Sequence, residues 1–216
     1  IHNSSGGMAF GDSVTIIGLT IQNFTQSITS GPQGLTYLKM QDCNFNNNGN
    51  SNGSLINYSL GTTEIIHCAF NNNAGTITLS SNQNLSSIQI KQNSFINHTT
   101  SGNSGPGGFG WNTALINIGC CGTTKTKIEN NLFYNCTGAS TGYTIYVNNP
   151  GTDSTIILNN TFFNNDINSI KVDGTNNTCL IQNNLFNSNN RNSTSEFSFA
   201  TGSKVMRVEA QDIDGG

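Results

Sequence analysis

One phrase recurs along the chain: an aliphatic residue, two further positions, a small or amide residue, one more position, then Phe. It reads MQDCNF from Met40 to Phe45, IIHCAF from Ile65 to Phe70 and IKQNSF from Ile90 to Phe95. It continues as IENNLF from Ile128 to Phe133, ILNNTF from Ile157 to Phe162 and IQNNLF from Ile181 to Phe186. A degenerate first copy, IIGLTIQNF, ends at Phe24. Apart from the long step between Phe95 and Phe133, the phenylalanines follow one another at intervals of 21 to 29 residues. A period of that length marks a stack of like units, each burying its apolar face against its neighbours.

Each repeat carries a second short alternating segment: LINYS (55–59), TITLS (76–80), ALINI (114–118), YTIYV (143–147), SIKV (169–172) and EFSF (196–199). Short strands divided by Asn/Gly/Ser/Thr turns, with no helical periodicity and no leucine-rich pattern, predict an all-β parallel solenoid of about seven coils. Parallel coils rise by ~4.8 Å, so equivalent residues stack in columns. The column two residues before Phe reads Cys43, Cys68, Asn93, Asn131, Asn160, Asn184. Stacked amides donate and accept along such a column without any net charge.

This explains an unusual composition. Charged residues make up 9% of the chain, against about 25% in ordinary soluble domains. In their place stand 37 Asn, 25 Thr and 23 Ser among 216 residues. A net charge of −3 with eight scattered basic residues excludes a phosphate-tracking nucleic-acid binder. No apolar run approaches the ~20 residues of a membrane-spanning helix.

The phrase I-x-N-N-x-F with its Asn-rich turns resembles the right-handed parallel β-helix of the pectate-lyase-like superfamily. FNNN (45–48 and 70–73), FFNN (162–165) and FNSN (186–189) are similar to the F-x-x-N element of polymorphic outer-membrane-protein surface repeats. The resemblance implies a single-domain right-handed parallel β-helix over residues 1–200. It leaves lyases, hydrolases, adhesins and inert spacers open as functions. Residues 201–216 are expected to form a terminal strand or to begin a following domain. Their V-x-A-x-D-x-D-x-G run, Val208 to Gly216, is similar to the strand end of cadherin-type repeats. That likeness implies Asp212 and Asp214 as calcium ligands; no other cofactor is expected.

Polysaccharide enzymes of the superfamily place Asp, Lys and Arg on an outward strand face. On the second segment the outward column is expected to read Asn57, Thr78, Asn117, Tyr146, Lys171, Ser198, with no carboxylate. On the I-x-N-N-x-F strand, Lys39 shares a column with Glu64 and Lys91 shares one with Glu129. Glu64 and Glu129 are the conceivable glycosidase pair, but cross-strand ion pairing accounts for both without catalysis. His67, beside Cys68 in a turn column, is read as a turn hydrogen-bonder. The expected function is therefore non-catalytic: an extracellular or cell-surface structural or adhesive rod. A carbohydrate-active enzyme or carbohydrate-binding module of the same fold is the alternative. Expected partners are surface or matrix proteins, glycans, or neighbouring domains or subunits.

The remaining expectations concern compartment and loops. The chain opens at Ile1 without Met, as a mature product or a segment of a longer one would. Six cysteines with no zinc-like spacing predict disulfides: Cys43 with Cys68 in one column, and Cys120, Cys121, Cys136 and Cys179 in undetermined pairing, Cys120 or Cys121 with Cys136 being one arrangement. Ten N-x-S/T sequons are candidate N-glycosylation sites: Asn3, Asn23, Asn52, Asn57, Asn84, Asn97, Asn135, Asn159, Asn176 and Asn192. The long step after Phe95 contains Phe109 and the single tryptophan, Trp111, which form the expected contact point for a glycan or partner chain.

Overall fold

The computed structural model describes residues 8–25, 28–30, 36–49, 54–59, 61–81, 86–100, 114–120, 124–139, 142–148, 154–174, 178–189, 197–199 and 204–212. Within them the chain is all β, without helix, and its strands pair in parallel as a β-solenoid. Each coil contributes to three columns of strands. One is an eight-stranded sheet that includes Thr76–Ser81, Ala114–Cys120, Tyr143–Asn148 and Asn168–Asp173. The other two are a column of longer strands such as Thr62–Ile66 and Ser154–Leu158, and a column of three-residue strands such as Ala69–Asn71 and Leu132–Tyr134. Thr178–Asn187 runs through both of these and joins them into one folded sheet.

The repeat phrase builds the longer strand, a bend and the short strand. Alternation in the longer strand sends Met40, Ile65, Ile90, Ile128, Ile157 and Ile181 into the core as one paired column. The short strand sends in Phe45, Phe70, Phe95, Phe133, Phe162 and Phe186, whose rings stack with centroids 4.6–5.0 Å apart. Burying each such ring contributes roughly 1.5–3 kcal/mol, and the coil rise places the rings in contact.

Six stacked rings make five steps, so the regular solenoid has about five turns, not seven. The difference begins at the degenerate first copy. Ile21, not Phe24, pairs with Phe45. Phe24 falls at the place Asn48 holds in the next coil, and its N–H donates to Asn48 Oδ1 at 3.1 Å.

Two bends flank each short strand, and each needs one residue with positive φ. The first bend uses Gly18, Asp42, His67, Gln92, Asn130, Asn159 and Asn183. The second uses Asn23, Asn47, Asn72, Asn97, Asn135, Asn164 and Ser188. Asn tolerates this left-handed backbone better than other non-glycine residues, which accounts for half of the N-N pairs. The residue after each bend points inward and supplies the other half. Asn131 shows the arrangement: Asn160 Oδ1 accepts both its backbone N–H (3.0 Å) and its Nδ2 (2.9 Å). Asn131 Nδ2 also donates to Ile90 O at 2.9 Å. Asn93, Asn160 and Asn184 continue this ladder. A second ladder, not anticipated from the sequence, follows the other bend through Asn48, Asn73, Asn165 and Asn189.

Candidate functional site

The first bend opens outward into a groove of about 480 Å³ that crosses the coils of His67, Gln92, Asn130 and Asn159. Its other wall is formed by Ser94, Leu132 and Thr161, each the first residue of its short strand. The two bends differ in how their amides are used. At the second bend the outer side chains bond to one another: Asn97 Nδ2 donates to Asn72 Oδ1 (3.0 Å), Asn135 to Asn97 (2.7 Å) and Asn164 to Asn135 (3.1 Å). At the first bend the side chains of Gln92, Asn130 and Asn159 have no hydrogen-bond partner among the described residues. The groove thus presents one free amide per coil in three successive coils, beside the exposed side chain of Leu132. In the sequence these amides are merely the residue before the ladder position, and nothing in the phrase distinguishes free from paired.

The carboxylates expected on the longer strand lie where the register put them. Lys39 pairs with Glu64 across coils and Lys91 with Glu129. Lys39 Nζ is 3.9 Å from Glu64 Oε2, whereas Glu129 is held by two lysines, Lys91 at 3.1 Å and Lys127 at 2.6 Å. Burial works to raise the Glu129 pKa, but hydrogen bonds and charge from Lys127 and Lys91 outweigh it and hold the carboxyl below its usual range. A carboxylate so held is a poor proton donor near neutral pH.

On the eight-stranded sheet the expected column is present, with Thr78, Asn117, Tyr146 and Lys171 paired in turn. Two expectations for this face are corrected. Thr78, Asn117 and Tyr146 are buried, so the middle of this face is covered, whereas Asn57 at one end of the column is exposed. The face also carries a carboxylate, Asp173, two residues beyond Lys171. Tyr146 Oη donates to Asp173 Oδ2 at 2.8 Å, and Lys171 Nζ lies 3.1 Å from the same oxygen. The ammonium also sits over the Tyr143 and Tyr146 rings, 5.6 and 5.0 Å from their centroids. Burial, then the Asp173 hydrogen bond and charge, push the Tyr146 hydroxyl well above its usual pKa, so it stays a neutral donor.

The cysteine expectations are also corrected. Cys43 and Cys68 stack one coil apart as inferred, yet both are free thiols. Both stand at the ladder position: Cys43 Sγ donates to Ile16 O of the preceding coil (3.5 Å) and to Gln41 O (3.2 Å), whereas Cys68 Sγ donates within its own coil, to Ile66 O (3.3 Å). Burial pushes the Cys68 thiol up to about 12. Cys136 holds a place in the second ladder, and Cys179 lies in the core column beside Thr155. Both are free, which removes the pairing of Cys136 with Cys120 or Cys121; Cys121 lies outside the described residues.

His67 is a bend residue, with Nδ1 3.5 Å from Asp42 Oδ1. The histidine that sequence reasoning missed is His98, fully buried at a second-ladder position. Its Nε2 lies 2.6 Å from Gly75 O, which accepts, while Nδ1 has no partner. Burial lowers its pKa to about 4 against a smaller opposing effect from Gly75 O.

Of the sequon asparagines, Asn23, Asn57, Asn97 and Asn159 are exposed and Asn135 is half-buried. Asn3, Asn52, Asn84, Asn176 and Asn192 lie outside the described residues, as do Phe109, Trp111 and Asp214. The strand Lys204–Asp212 stacks in parallel on Thr178–Asn187, pairing Val208 with Ile181 and Asp212 with Phe186. No long apolar helix occurs among the described residues, and none of their His, Cys, Asp and Glu side chains gather in threes.

The chain matches no protein-family model, and comparison with curated proteins and with solved structures returns no significant match.

Proposed function

We propose that the chain is a non-catalytic structural or adhesive rod of an extracellular or cell-surface protein, built on a right-handed parallel β-helix like that of the pectate-lyase-like superfamily. The observation that carries this reading is the disposition of its carboxylates. Glu64 faces Lys39, and Glu129 is clamped between Lys91 and Lys127. Such pairs contribute about 0.2–1 kcal/mol each to coil stacking, and the lysines on Glu129 hold it ionised, a poor acid for a leaving group. The continuous Phe column and the Asn ladders favour a stiff body whose working surface is its repeating exterior. Partners of this rod are glycans or other surface and matrix proteins, and calcium at Asp212 and Asp214 belongs to the same proposal.

The test is incubation of the purified chain with neutral and acidic polysaccharides, with chain length followed by chromatography. No shortening is expected. Cleavage abolished by Glu64→Gln or Glu129→Gln would replace this reading with a carbohydrate-active enzyme. The free amides of the first bend favour one second reading, a carbohydrate-binding module.

A further inference from the structure

We infer that the first-bend groove binds a neutral, extended β-1,4-linked polysaccharide laid along the solenoid axis, about one sugar per coil. The inference rests on the non-catalytic reading only in that the glycan is held and not cut.

Three observations converge. The groove repeats with the coil, whose rise is visible in the 4.6–5.0 Å spacing of the core rings. One pyranose ring of an extended β-1,4-linked chain advances by a similar length, so each coil meets one ring, and because successive rings are turned over by about half a turn, equivalent hydroxyls recur at every second coil. The amides of Gln92, Asn130 and Asn159 stand free in the groove, whereas their counterparts Asn72, Asn97, Asn135 and Asn164 consume one another. An amide both donates and accepts, as a sugar hydroxyl does, so an aligned row of unpaired amides matches a row of hydroxyls. Finally, the groove wall combines the hydroxyls of Ser94 and Thr161 with Leu132, 37% exposed, which offers an apolar contact for the C–H face of a ring.

Charge selects the class of glycan. Among the described residues the groove lining holds no Lys, Arg, Asp or Glu, and on the adjoining strand Glu129 is bracketed by Lys91 and Lys127. A uronate chain would find no lysine or arginine to pair with among the described lining residues. The groove also contains a sequon, Asn159-Asn160-Thr161, so a glycan attached at Asn159 would occupy the site and exclude the free ligand.

The experiment is calorimetric titration of the unglycosylated full chain with β-1,4-linked hexaoses of glucose, mannose, xylose and N-acetylglucosamine, and with polygalacturonate. At least one neutral hexaose should bind, its disaccharide at least tenfold more weakly, and polygalacturonate not at all. Gln92→Gly/Asn130→Gly/Asn159→Gly keeps the positive-φ backbone accessible and should weaken binding at least tenfold. Leu132→Asp, at an exposed side chain, should do the same. Asn97→Gly/Asn135→Gly at the other bend should leave binding unchanged. Absence of neutral-hexaose binding overturns the inference, as does unaltered binding by Leu132→Asp or equal loss in the other-bend control. Binding accompanied by cleavage supports the groove and instead overturns the non-catalytic reading.

Discussion

Asn160 Oδ1 accepts two hydrogen bonds from Asn131 in the neighbouring coil, one from its backbone N–H at 3.0 Å and one from its Nδ2 at 2.9 Å. Asn160 itself donates to Ile128 O at 3.0 Å and to Asn184 Oδ1 at 3.0 Å. One neutral side chain thereby satisfies the backbone of a buried bend in both directions along the stack. No ionised group could do this without a large desolvation cost.

Replacing Asn160 with Leu leaves the Asn131 N–H and the Ile128 carbonyl without partners. Each buried unsatisfied group costs about 1–3 kcal/mol. A loss of about 2–5 kcal/mol in urea unfolding is expected, and a loss below about 1 kcal/mol would mean that the ladder adds little.

Cysteine at a ladder position is an imperfect amide. It supplies one weak donor, as Cys43 Sγ does to Ile16 O, where Asn93 Nδ2 gives a 2.9 Å bond to Ile65 O. Cys68→Asn should therefore maintain or raise stability by up to about 1 kcal/mol, measured by thermal unfolding. The same substitution at an ordinary buried thiol would be destabilising.

The bends predict a substitution order of their own. Asn183 has φ 54° and an inward ladder residue after it. Asn183→Ala should cost about 1–2 kcal/mol, the penalty of a Cβ in the left-handed region, and Asn183→Gly less. Equal losses would show that the side chain and not the backbone decides.

His98 makes the fold acid-sensitive. Its ring is buried neutral with a pKa of about 4, below the 6.5 of a free imidazole. As pH falls below about 6.5 the unfolded chain takes up the proton first, so stability is lost between about pH 6.5 and 4, by roughly 3 kcal/mol. His98→Asn restores a ladder amide and should flatten that decline in urea midpoints measured between neutral pH and the folded-state pKa. A parallel decline in both proteins would assign the sensitivity elsewhere.

Much of this architecture is legible in the sequence because a strict period fixes the columns by spacing alone. The Ile and Phe cores, the first ladder and the Lys39–Glu64 and Lys91–Glu129 registers all follow from the spacing of one phrase. Phe24 misleads because an apolar residue at a bend reads like one in the core column that Ile21 occupies. The second ladder is hidden because its members change chemistry, with His98 and Cys136 between Asn73 and Asn165. Cys43 and Cys68 occupy adjacent coils of one column, but the backbone carbonyls that orient their thiols carry no mark in the sequence. The groove is unreadable for the same reason. Amides pair along the second bend and not along the first, yet both bends are spelled with Asn.

Hydrogen exchange of side-chain amides tests this division directly, since each Nδ2 or Nε2 group has its own resonance. The Nδ2 protons of Asn93, Asn131, Asn160 and Asn184 should exchange orders of magnitude more slowly than the side-chain amide protons of Gln92, Asn130 and Asn159. Equally fast exchange in both sets would contradict a ladder that carries the coils and a groove whose amides are free.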